Sequence, residues 1–186
     1  AGENINLTAG AAVTFTSTAD DITFATGTVD MANGSNLIVN SAGGDISAAA
    51  GIAGASVEDV TLNAAAGDVT VGAIGAAAAE INVVAITGAT INLGGNINTD
   101  DDGAGQAGNV GLTGAVVLTG AVTIDTDAGN GTVTLSSTLD GGFDFDISSG
   151  TGAVDIAAAT GATTALASLD INNAAGSGTI AVNNIG

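Results

Sequence analysis

The chain has 186 residues, 19 carboxylates and no Lys, Arg or His, so its formal charge at pH 7 is −19. A surface without cations repels phosphate backbones and anionic lipid and has no basic group with which to release counterions, which excludes nucleic acid as a partner. The absence of Cys excludes a disulfide framework, and a core with four Phe, one Met and no Trp or Tyr has to be built from Ala, Val, Ile and Leu.

In chain order, the first apolar alternation is VTFTS at Val13, followed by the pairs Ile22 with Phe24 and Val29 with Met31. LIVNSAGGDISA begins at Leu37, and VTLNAAAGDVTV at Val60 repeats its pattern. Each phrase holds two apolar residues one apart, then Asn, a short Gly-containing stretch, and a second apolar pair. That period of two is the mark of short strands with one buried face. Val69 with Val71, the marker Ile81, and Ile91 with Leu93 continue the series. A further coil entered at Ile97 is followed by the Asp/Gly-rich loop TDDDGAGQAGN over 99–109, and Val116 pairs with Leu118. The phrase then returns as VTIDTDAGNGTVTL at Val122, FDISSGTGAVDI at Phe145 and LDINNAAGSGTIAV at Leu169.

The markers Val13, Leu37, Val60, Ile81, Val122, Phe145 and Leu169 are close to evenly spaced, except that the step from Ile81 to Val122 is nearly double the others. Short strands recurring every ~22 residues, with no sustained helical spacing, predict an all-β fold: a parallel β-helix, or β-solenoid, of about eight coils forming one domain over 1–186. An antiparallel sandwich is the rival, but it needs larger core residues to fill the ~10 Å between its sheets. The phrase is expected to form one corner of every coil, with Asn40, Asn63, Asp125, Ser148 and Asn172 stacked as a turn ladder. An echo of the Val60 phrase in the one that opens at Phe145 predicts a duplication of four coils.

Phrases such as VTIDTDAGNGTVTLSSTLDG and ISSGTGAVDIAAATGATTALASLDINNAAGSGTI resemble the passenger repeats of filamentous haemagglutinin-like and β-strand-repeat bacterial surface adhesins. The resemblance implies a secreted, extracellular β-helix acting as an adhesin stalk or fibre, with an unknown surface receptor. Copies of the chain itself, or adjacent coils of a longer chain, are the other expected partners.

Chemistry is sparsely provided. Nucleophilic triads lack His and Cys, and lyase chemistry on uronates lacks a basic group, so the chain is not expected to be an enzyme. A carboxylate-only glycoside hydrolase using Asp144 with Asp146, or Asp125 with Asp127, is the remote alternative. Ca²⁺ is the one cofactor argued for, because it takes hard oxygen ligands from flexible loops. Its candidate ligands are Asp100, Asp101, Asp102, Asp125, Asp127, Asp146 and Asp170, the last two expected in adjacent coils. A calcium-dependent adhesive is thus one alternative, and an ice-binding module presenting Thr14, Thr16, Thr61, Thr70, Thr132 and Thr134 is another. Gly103–Ile124 is long and uncharged but broken by Gly, Thr, Asn and Gln, so no membrane span is expected.

Overall fold

Alternation of Val, Ile and Leu with small or polar residues gives mostly short strands, such as VDM, LIVNS and IA, each of which turns alternate side chains inward. A computed structural model describes residues 3–8, 10–55, 57–76, 79–99, 108–126, 130–173 and 178–186. The strands follow one another coil by coil. The first coil is β1 (Ile5–Leu7), β2 (Val13–Ser17) and β3 (Ile22–Thr23); the second is β4 (Val29–Met31), β5 (Leu37–Ser41) and β6 (Ile46–Ala48). The third is β7 (Ile52–Ala53), β8 (Asp59–Asn63) and β9 (Val69–Val71). In the fourth, a single bridge at Ile74 leads into the long β10 (Val83–Leu93), and in the fifth β11 (Ile97–Asn98) leads into β12 (Val110–Leu118). The sixth is β13 (Val122–Asp125), β14 (Val133–Leu135) and β15 (Leu139–Asp140). The seventh is β16 (Asp144–Gly150), β17 (Val154–Ile156) and a bridge at Thr160; the eighth is β18 (Ser168–Asn173), β19 (Ile180–Val182) and a bridge at Ile185.

Every named strand pairing is parallel, and each joins one coil to the next. The result is a β-solenoid with three stacks. The first stack runs β1, β4, β7, Ile74, β11, β13, β16, β18. The second runs from β2 through β5, β8, β10, β12, β14 and β17 to β19. The third starts at β3 and ends at Ile185, sharing β10 and β12 with the second. Those two strands turn the corner between stacks without a break. In β10 the alternation slips by one position at Gly88–Ala89, and the register with β12 shifts between Thr87 and Thr90, which is a bulge in place of a turn. Gly114 sits at the matching corner of β12 with φ 137°, where a Cβ would run into the Gly88 carbonyl of the coil beneath.

Inward residues stack on their own kind. In the second stack Leu37, Val60, Val84, Val110, Val133 and Val154 follow one another in register, all 0 or 1% exposed. The core is therefore a column of β-branched and Leu side chains with almost no aromatic filling, as the composition requires.

The repeated phrase does not keep to one corner. Leu37 and Val60 stand in the second stack, whereas Val122, Phe145 and Leu169 stand in the first. The single turn ladder is thus two. Asn40 and Asn63 are neighbours in one, while Asp125, Ser148 and Asn172 are neighbours in the other, above Asn98. The doubled interval marks this change of stack. Ile81 is buried but precedes its strand, and Val84 is the residue in register with Val60. The echo between the Val60 and Phe145 phrases likewise moves from the second stack in coil three to the first in coil seven, so it falls short of four whole coils by one side.

The corners are held one residue beyond the predicted ladder positions. After Ile97, Ile124 and Ile147 the next residue faces out and the one after faces in, which buries the hydroxyls of Thr99, Thr126 and Ser149. Thr99 Oγ1 donates to the Gly108 carbonyl at 2.6 Å, Thr126 Oγ1 to that of Gly131 at 2.9 Å, and Ser149 Oγ to that of Gly152 at 3.3 Å. The same device thus recurs on coils five, six and seven. Replacing Thr126 with Val keeps the shape but orphans the Gly131 carbonyl, and urea unfolding is expected to show a loss of about 1–2 kcal/mol.

Candidate functional site

Two features of the surface stand out: how the carboxylates are held without cations, and what the last coil leaves open. Just before the third stack, Asp21 Oδ1 accepts the Asp45 N–H at 2.9 Å, Asp45 Oδ1 accepts the Asp68 N–H at 2.9 Å, and Asp68 Oδ1 accepts the Thr90 N–H at 3.0 Å. Each carboxylate is anchored to the backbone of the coil above it, a charge-assisted bond that offsets repulsion between acids spaced by about 4.8 Å. Beside the second stack, Asn36 Nδ2 donates to Asp59 Oδ2 at 3.3 Å and Asn82 Nδ2 to Asp59 Oδ1 at 2.7 Å, so a carboxylate is held between amides.

Glu58 is the one carboxylate among the described residues that is fully buried. Its Oε1 accepts the Gly34 N–H and its Oε2 the Ala55 N–H, both at 2.7 Å, which ties a corner of the second coil to one of the third. Sequence reasoning does not single it out. The signal is its place in the last residues before a strand, among small residues that leave no room for solvent, and that becomes legible only with the stack assignment.

The predicted calcium ligands divide. Asp100, Asp101, Asp102 and Asp127 lie outside the described residues. Asp146 and Asp170 are in register on adjacent coils, as expected, and Asp125 stands beneath Ser148 on a neighbouring row. Among the described residues no group of three or more acids converges to hold a metal ion. Asp144 and Asp146 share the outward side of β16, where Asp144 Oδ1 accepts the Ser168 hydroxyl at 2.7 Å. The threonines do not form an unbroken row. Thr14, Thr61 and Thr134 are outward in the second stack with Ile38, Ala85 and Gly111 between them in register, while Thr70 is in the third.

Two apolar residues of the eighth coil are exposed. Ile180 continues the column that contains Val133 and Val154, yet it is 47% exposed, and Ile185 is 67% exposed above the buried Thr160. Leu166, Leu169 and Ile185 line a shallow cleft there. At the opposite end Ile5, Val13, Phe15 and Ile22 are only partly covered, and Phe15 meets Phe24 edge to face at 5.2 Å. No helix among the described residues is long and apolar enough to cross a membrane.

No family model, no curated protein and no solved structure matches this chain.

Proposed function

We propose that this chain is a structural, non-catalytic rod of an extracellular surface fibre or adhesin stalk, which self-associates or joins further solenoid coils. The observation that carries the reading is the unbroken parallel stacking: Leu37, Val60, Val84, Val110, Val133 and Val154 succeed one another in register, each at most 1% exposed. A stack in which each coil repeats the one before is a rod that lengthens with every coil, which suits a stalk or a fibre. The extracellular placement is supported by the textural likeness to adhesin repeats and by a coat of acids with no cation to attract them.

Small-angle scattering and negative-stain imaging test this. The expected particle is a rod of about 40 Å per chain, eight coils at the strand spacing, with longer objects in multiples of that length. A compact, isometric particle, or release of reducing sugar from a panel of polysaccharides, would overturn it.

A further inference from the structure

An Asn followed by Gly is a place where a chain readily modifies itself, because a residue without Cβ leaves its nitrogen uncovered. The Gly nitrogen loses its proton and bonds to the Asn Cγ, the Cγ–Nδ2 bond breaks, and ammonia departs with that proton. Water then opens the five-membered ring at either carbonyl, which leaves Asp or isoaspartate, the latter with one more methylene in the backbone. The sequence holds two such steps, Asn33–Gly34 and Asn130–Gly131. Asn33, Gly34 and Asn130 are exposed, so burial does not shield them from water.

Each step is locked in the folded chain, by different means. Gly34 stands at φ 81° in a turn closed by the Ser35 N–H on the Ala32 carbonyl at 2.9 Å. Its own N–H points at Oε1 of the buried Glu58, 2.7 Å away. Ring closure needs the Asn33 Cγ in the plane of the peptide, in the direction of that proton, and the carboxylate already occupies it. Loss of the proton is opposed as well, since the nitrogen would become an anion beside another anion. At the second step the amide carbon is held instead. Asn130, at φ 54°, turns its Oδ1 to the next coil, where it accepts the Thr151 N–H at 2.8 Å and the Thr151 hydroxyl at 2.7 Å. The Gly131 N–H meanwhile donates to the Thr126 carbonyl at 3.1 Å.

We infer that Asn33 and Asn130 are self-modification sites that coil stacking keeps silent, and that the Glu58 carboxylate guards the first of them. Neither Cγ meets its nitrogen until the corner comes apart, so deamidation records the opening of a corner. At Asn33 the record also hinders closing. The product brings a second carboxylate to the corner that Glu58 holds, and isoaspartate lengthens a four-residue turn.

Ageing the whole chain at mildly alkaline pH, folded and in urea, tests this. Cleavage at Glu3, Glu58 and Glu80 puts the two sites on separate peptides, in which mass mapping and enzymatic methylation of isoaspartate count the product. Both sites are expected to convert at least about tenfold more slowly in the folded chain, because the corner has to open first. Asn33→Gln, whose longer arm closes its ring far more slowly, should remove the first signal. Glu58→Ala should raise the folded-chain rate at Asn33 several-fold, toward its value in urea, and leave Asn130 unchanged. Glu58→Asp keeps the charge but draws the carboxylate back from Gly34; it is the milder variant should Glu58→Ala not fold, with the same expectation. Equal rates in the folded chain and in urea would overturn the inference. A folded Glu58 variant that leaves Asn33 unchanged, or raises both sites together, would overturn the role of Glu58.

Discussion

Glu58→Gln is expected to destabilise the fold by about 3 kcal/mol, although it changes neither size nor shape. Both carboxylate oxygens of Glu58 accept a backbone N–H at 2.7 Å, from Gly34 and from Ala55. A carboxamide has one acceptor oxygen, so its NH₂ must face the other N–H, donor against donor, at a site with no access to water. Glu3→Gln, at an exposed position, serves as the control and should lie within about 0.5 kcal/mol of the parent. Denaturant midpoints decide it. Equal midpoints for the two variants would mean that the corner between coils two and three is held by something else.

Phe145→Ala is expected to cost about 3–5 kcal/mol. Phe145 is 0% exposed and lies in register between Val122 below and Leu169 above. It is the largest fully buried side chain among the described residues, and rigid strands on either side cannot collapse into the space it leaves. Unfolding followed by intrinsic signals is hampered by the lack of Trp and Tyr, so far-ultraviolet circular dichroism is the measurement of choice. A loss under about 1 kcal/mol would show that the seventh coil relaxes around the cavity and is looser than its burial implies.

The two effects also mark what the sequence discloses. Phe145 belongs to the alternation that reveals the strands: FDI, VTI and VTL place inward residues by period alone, and the structure keeps them inward. Parallel stacking and the coil length follow from the recurrence. The stack to which each phrase belongs does not follow, because all three sides of the coil are written in the same short vocabulary. Val60 and Phe145 open phrases of the same pattern on different sides. The outward ladder residues Asn40 and Asp125 are legible for the same reason that the inward hydroxyls of Thr99 and Thr126 are not. A polar residue after an apolar pair signals a turn, whereas a second polar residue reads as more of the turn until the alternation is carried one step further and turns it inward. Glu58 is less legible still, since its bonds go to Gly34 and Ala55, whose N–H groups carry no sequence signal.

The bonds that join one coil to the next all point along the rod. A pull applied at its two ends therefore loads them one coil at a time, as a zipper is opened, and not together as when strands are sheared past one another. Leu37 and Val60, in register on neighbouring strands, mark the two ends of one such coil. Unwinding it releases roughly 75 Å of chain where the folded coil had contributed about 4.8 Å of length. An object of this kind resists bending but yields to tension as a spool does, extending to about fifteen times its own length while the coils not yet unwound remain intact.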